Sequence, residues 1–237
     1  MDGLSAKLSR EDLFKLADAG GMLPHGIAGE SIYKTAFNNV SEFVTSLKKL
    51  TKDEEAHSLP LDINLGDFRL IGNINGLYEN RLMKYRCAKI KPKDIISLWI
   101  EHLTLDIVFH SEKESSILAG LSDKRTFEAW EFNHINNCDA HLHSLLELYY
   151  QGMSKPLPLF AEASFAYAKK FYKDQDKDLA LQAADKKLTG DKDRSGDLDD
   201  AYQKLCFRDR DCLDEEFIKT ASTIYDPIMQ NRKKLKQ

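Results

Sequence analysis

Two short stretches carry residue types at spacings that could do chemistry. Gly72-Asn73-Ile74-Asn75 ends an alternating apolar run in a polar residue, and Met83-Lys84-Tyr85-Arg86 sets two charged residues two positions apart. Residues i and i+2 of a strand share a face, so Lys84 and Arg86 project together, while Met83, Tyr85 and Cys87 project from the other side and can pack. Two acids at such positions hold Mg²⁺, and a lysine beside them helps to orient an attacking water. Here an amide, Asn75, and two cations stand instead, and a divalent metal would meet repulsion. The pattern predicts no metal-dependent cleavage, no catalytic residue and no cofactor. Arg81, Lys84, Arg86, Lys89, Lys91 and Lys93 follow one another without an intervening acid, which makes them candidates for phosphate contact. The plainer reading of the same run is an edge strand kept from aggregating by its lysines.

Three other groups invite a chemical reading and give way to a simpler one. Asp191, Asp193, Ser195 and Asp199, with Gly196 between, match part of a calcium loop, but its twelfth position is Tyr202 instead of the bidentate glutamate; a solvated acidic turn leading to a helix near Ala201 is expected. His134, Cys138 and His141 fall at i, i+4 and i+7, yet no fourth zinc ligand is visible, and such residues usually belong to a half-buried helix face. Trp99 and Trp130 could stack on bases; Trp99, inside an apolar helical run, is expected in the core.

The elements that must position these residues follow from periodicity. A short lead-in helix over 11–19 is capped by Ser9 with Asp12 in its first turn and stops at Gly20-Gly21. From Gly29 the residues Ile32, Ala36, Val40, Phe43, Val44 and Leu47 recur every three or four positions, a long amphipathic helix ending near Leu50. The period then falls to two: Leu59, Leu61, Ile63 and Leu65, then after Gly66-Asp67 a run through Phe68, Leu70, Gly72 and Ile74, two strands of a hairpin. Asn75-Gly76 begins the next turn, or the strand extends into residues 78–80. A third strand over 82–90 leads through Pro92 into a strongly apolar, buried helix over 93–108. Residues 116–132, broken at Asp123-Lys124, form a strand pair. Helices are expected over 135–151, 161–172, 179–188 and 214–225, followed by a basic tail. The segment 174–214 is the most charged and carries few large apolar residues, a composition that predicts partial mobility.

With 237 residues, 42% hydrophobic, there is enough apolar material for one sizeable core or two small ones. No run approaches the length of a membrane span, the N-terminal residues have no signal-peptide character, and Cys87, Cys138, Cys206 and Cys212 show no dense disulfide spacing; a cytoplasmic protein is expected. The formal net charge of -4 excludes a wholly basic nucleic-acid binder but hides strong local asymmetry. No phosphate-binding Gly-x-x-x-x-Gly-Lys-Ser/Thr loop occurs.

The order of helix, three strands and helix, with chemistry on the second and third strands, is that of PD-(D/E)xK nucleases. Three motifs sharpen the likeness. Residues 23–30 (Leu-Pro-His-Gly-Ile-Ala-Gly-Glu), 98–103 (Leu-Trp-Ile-Glu-His-Leu) and 150–157 (Tyr-Gln-Gly-Met-Ser-Lys-Pro-Leu) occur in that order, and through them the chain, from about Asp12 to its end, resembles the C-terminal domain of RecC, the gamma subunit of exodeoxyribonuclease V. The resemblance implies an α/β fold with a restriction-endonuclease-like core, a central mixed sheet flanked by helices, and additional C-terminal helices. It implies a lead-in helix in residues 1–22 and a pseudonuclease domain over 23–237, with Glu30 as the remnant acid of the first helix. It implies a domain that is not itself an enzyme, that contacts double-stranded DNA ends and separated single strands, and that docks RecB-like and RecD-like subunits in double-strand break repair and recombination, away from any membrane. The alternatives are an active nuclease with a displaced site, drawing on Glu30, Asp67 and Glu79, or a module that binds only protein.

Overall fold

A computed structural model describes residues 8–52, 54–79, 81–109, 115–208 and 211–235. The chain divides into two compact units, residues 1–53 and 54–237.

The first unit holds α1 (Arg10–Ala19) and α2 (Ile27–Thr51). Ser9 and Asp12 cap α1 reciprocally, side chain to backbone in both directions. Tyr33 of α2 donates its hydroxyl to the Arg10 carbonyl and stacks edge-on with Phe14, so the expected lead-in helix and the long helix form one hairpin. Gly29 explains the first motif: a Cβ there would lie 2.0 Å from the Pro24 carbonyl oxygen, so only glycine lets the 22–26 turn close onto the helix.

The second unit is built on a mixed six-stranded sheet, order β1-β2-β3-β4-β5-β8, flanked by helices. β1 (His57–Leu65), β2 (Phe68–Tyr78) and β3 (Arg81–Lys89) are antiparallel neighbours. α3 (Pro92–Phe109) carries the chain over to β4 (Ser116–Leu121), which lies parallel to β3 and antiparallel to β5 (Phe127–Phe132); a parallel pair requires such a crossover. Then come α4 (Cys138–Ser154), α5 (Ala161–Asp174), α6 (Lys177–Leu188), a minimal hairpin of β6 (Gly190–Asp191) and β7 (Arg194–Ser195), α7 (Ala201–Cys206), α8 (Glu215–Asn231) and β8 (Arg232–Lys234). The basic tail is therefore partly a strand: β8 pairs with β5, Arg232 opposite Phe132, and its guanidinium lies 4.5 Å from the centre of the Trp130 ring. That ring is covered by a cation of its own chain rather than offered for stacking.

One face of the sheet supports the main core. Ile74, Leu77, Leu82, Leu118 and Phe132 meet Ile95, Leu98, Trp99 and Leu103 of α3, Leu142 of α4 and Ile224, Tyr225 and Ile228 of α8. Trp99 is in this core, 1% exposed. A second core gathers Phe160, Tyr167, Ala180, Ala184, Leu188, Phe207, Cys212, Phe217 and Ala221, so the charged segment 174–214 supplies five of its residues. None of the four cysteines is in a disulfide. No helix among the described residues is long and apolar enough to cross a membrane.

Candidate functional site

The placement of the chemical residues turns on one glycine. β2 runs through Asn75 to Tyr78, and the turn follows at Glu79. Within it Gly76 adopts φ +88°, and a Cβ there would sit 2.7 Å from the Met83 carbonyl oxygen. His57 pairs with Leu77 while Ser58 pairs with Asn75, so Gly76 is the extra residue of a β-bulge. Paired residues share a face and neighbours alternate. Leu77, and with it Leu82 opposite, therefore points to the main core, and Asn75 points the other way. Asn75 is exposed and accepts a hydrogen bond from Ser58 Oγ at 2.7 Å.

Lys84 lies two residues beyond Leu82 and shares its face, and the structure brings Lys84 and Arg86 together as expected. It also gives both a partner. Lys84 Nζ is 2.8 Å from Glu101 Oε2, and Arg86 Nη1 donates to both oxygens of Asp94 at 2.9 and 3.1 Å. Asp94 and Glu101 are seven apart, on one side of α3, matching the two-residue step of the strand. Asp94 works twice, since its carboxylate also accepts from the Lys91 amide at 2.8 Å and so caps α3, whose first residue is the buried Pro92. The expected open cationic face is thus a pair of half-buried ion pairs fastening β3 to α3.

The remaining candidates scatter. Lys89 pairs with Asp123 of the β4–β5 turn at 2.5 Å. Lys91 and Lys93 are exposed at the start of α3, and Arg81 is half-buried on the opposite side of β3 from Lys84. Met83 packs as expected, at 2% exposure, whereas Tyr85 is 52% exposed and Cys87 is exposed: the cover on that side ends after Met83. Glu30 lies exposed on α2, beside a hollow of about 440 Å³ lined also by Arg10, Glu11, Phe14, Tyr33 and Lys34. Asp67 and Glu79 flank the eleven residues of β2, roughly 35 Å apart at the rise of a strand, and cannot share a metal ion.

Beneath the ion pairs lies a polar cluster that composition did not announce. His102 Nδ1 is 2.9 Å from Ser116 Oγ, tying α3 to the start of β4. Asp106, 1% exposed, lies 3.5 Å from His102 Nε2 and 3.4 Å from His134 Nδ1, and accepts from the Ile135 amide at 3.2 Å. His102 stacks on Trp99, ring centres 5.6 Å apart. A serine, a histidine and an aspartate meet here, but all three are sealed from solvent, so the group binds α3, β4 and the 133–137 loop together instead of meeting a substrate. The motif around residues 98–103 is the only signal that could have revealed it: Trp99, Glu101 and His102 face the core, Lys84 and Ser116 respectively.

His134 does not share a helix face with Cys138 and His141. Asn137, with φ 61°, breaks the chain before α4 starts at Cys138 and leaves His134 turned to Asp106. Among the described residues no three His, Cys, Asp or Glu side chains are grouped to hold a metal ion. The calcium-like loop has its acids engaged otherwise. Asp197 Oδ2 accepts from the Glu162 and Ala163 amides at 3.0 and 2.8 Å and caps α5 from 35 residues away; Asp199 accepts from Gly196, and Asp200 caps α7. Asp197 is half-buried rather than solvated, and burial raises its pKa.

Comparison with known proteins settles the lineage. The family model for the RecC C-terminal domain matches residues 2–172. The chain belongs to this family. Among curated relatives it is similar to the RecBCD enzyme subunit RecC of Buchnera aphidicola from Schizaphis graminum, 23% identical over 234 residues covering 95% of this chain and 21% of the relative. The subunit of the same name from Escherichia coli K12 is 25% identical over 221 residues, 85% of this chain and 19% of that protein; those from Mycobacterium tuberculosis reach 28% over 150 residues. The chain spans about a fifth of the length of the first two RecC proteins it matches. The matched family region ends within α5, and the Buchnera match extends the likeness over nearly all the rest.

Proposed function

We propose that this chain is a non-catalytic, nuclease-shaped docking and DNA-contacting domain of a RecBCD-type exodeoxyribonuclease V acting in double-strand break repair and recombination. Support for the nuclease shape comes from the element order: a helix, three antiparallel strands, a crossover helix and a parallel fourth strand. The observation that carries the non-catalytic part is the fate of the two strand positions that would face a metal. Lys84 and Arg86 occupy them, and each is already neutralised by an acid of α3. Mg²⁺ does not fit these residues: the first ligand position, Asn75, points to the opposite face, and the acids nearby belong to ion pairs. What the pairs do instead is hold a strand, a helix and the sheet's crossover in one rigid piece, the quality required of a scaffold between moving partners.

The test has two arms. Linear duplex DNA incubated with the chain and Mg²⁺ or Mn²⁺ should remain intact, and cleavage lost on Glu30→Ala would overturn the non-catalytic reading. Capture of RecB-like and RecD-like subunits from defined, purified mixtures should succeed; failure to retain either would remove the docking part.

A further inference from the structure

With Lys84 and Arg86 neutralised, one group of cations still turned to solvent lies at one end of the sheet. Lys89 ends β3, in register with Leu121 at the end of the parallel β4. The tight turn that follows β4, closed by the Ser122 and Thr126 side chains and backbone, presents Asp123, Lys124 and Arg125, all exposed. Arg125 adopts φ 58° within the turn and is exposed. The hydrogen bond and charge of Lys89 hold the Asp123 carboxyl below the ordinary carboxylate range, and Lys169 of α5 and Arg194 of β7, within electrostatic reach of it, add smaller pulls in the same direction. Five exposed cations from four parts of the second unit thus belong to this turn or lie within electrostatic reach of it, and one of them, Lys89, is paired with Asp123. The hairpin's own Asp191 is engaged by the Asp193 amide.

We infer that Lys89, Lys124, Arg125, Lys169 and Arg194 form a contact surface for the phosphate backbone of nucleic acid. The inference rests on the DNA half of the function proposed above and gives it a location. Chemistry favours a polyanion over a protein partner: protein interfaces have an apolar, aromatic centre depleted of lysine, whereas the five residues grouped here are all lysines and arginines. The spread across several elements suits a continuous backbone better than a single phosphate, which would call for converging donors around one point. No base-edge readout is implied, so binding is indifferent to sequence and steeply dependent on salt.

Fluorescence anisotropy of the 237-residue chain with a labelled short duplex and a labelled single strand, over a salt series, tests this. Wild type should bind at low salt, and the triple variant Arg125→Gln/Lys169→Gln/Arg194→Gln should lose about tenfold or more in affinity, with the log–log salt slope reduced by about 2 to 3. A control triple, Lys15→Gln/Lys49→Gln/Lys219→Gln, changes net charge equally and should bind as wild type; thermal melting checks that both variants fold. Equal weakening by the two triples, unaltered binding by the first, or no binding by wild type overturns the surface. So does displacement by polyglutamate as effective as by unlabelled DNA, which would point to an acidic protein. Partner capture by the same variants separates the failures: DNA binding unaltered in the first triple with capture intact sinks this surface alone, while capture lost even by wild type sinks the wider reading.

Discussion

Two charge-rich regions of the chain, 81–109 and 174–214, use their charges in opposite ways. In the first, cations of β3 meet acids of α3 side chain to side chain, Lys84 with Glu101 and Arg86 with Asp94, and the pairs bind a strand to a helix. In the second, acids turn to backbone amides: Asp176, Asp197, Asp200 and Asp214 each accept from the first turn of a helix. An ion pair needs two long side chains ordered together, whereas a cap needs one short acid and an amide already fixed by its helix. This is why a segment with few large apolar residues can still be threaded into a core: the caps fix α5, α6, α7 and α8, and Ala180, Ala184 and Leu188, four apart, then fit against Tyr167 and Phe217.

That contrast can be broken or sharpened by substitution, and the largest effect is expected beneath the first region. Asp106→Ala strands His102, His134 and the Ile135 amide, and equilibrium urea unfolding should report a loss of about 3 to 5 kcal/mol; a loss below 1 would mean that the cluster adds nothing to the joint between α3 and β4. Gly76→Val forces a branched side chain into a left-handed backbone against the Met83 carbonyl, and about 1 to 3 kcal/mol should go in the same assay. In the second region Asp197→Ala removes the acceptor for two α5 amides and should cost about 1 to 2 kcal/mol, with hydrogen exchange accelerated first at Glu162 and Ala163. A double-mutant cycle on Lys84→Met and Glu101→Gln should return a smaller coupling, about 1 kcal/mol or less, because both side chains are partly in water.

The smallest difference is one of pH. Burial raises the pKa of Asp197, so the folded protein holds that proton more tightly than the unfolded chain. Its contribution is therefore fully present below the ordinary carboxylate range and is lost as pH rises through the raised value. Asp197→Asn should flatten that part of the stability profile. Asp123, held below the ordinary range by Lys89, contributes with the opposite sign: stability present above the usual carboxylate pKa and lost as pH falls through the lowered one. Melting curves of the two Asn variants across mildly acidic pH should diverge from wild type in opposite directions.

Much of the scaffold was legible because it rests on local periodicity. The two-residue alternation from Leu59 to Ile74 became β1 and most of β2, and the three-to-four spacing of Ile95, Leu98, Trp99 and Leu103 became the buried side of α3. The break at Asp123-Lys124 became the β4–β5 turn. What alternation could not convey was the bulge at Gly76, a single inserted residue that reverses every face before it and so sets Asn75 on the opposite side of the sheet from Lys84. The partners of Lys84 and Arg86 were hidden for another reason: Glu101 and Asp94 sit across a strand-to-helix crossover, and no spacing rule within one element pairs them. The role of Asp197 was hidden as well, because a cap supplied from 35 residues away leaves no local signature.

The pairing of β8 with β5 bears on how the sheet comes together in time. Arg232 and Phe132 are partners one hundred positions apart, while β1 and β2 are joined by a two-residue turn. Closing so long a loop costs entropy before any ladder bond returns it. The hairpin strands can find each other early, and β5 must wait as an open edge until α8 delivers β8. During that interval it presents unpaired backbone to any other strand in reach. Two of the three cations β8 brings, Arg232 over Trp130 and Lys234 against Glu128, then act as a latch on the slowest seam of the fold.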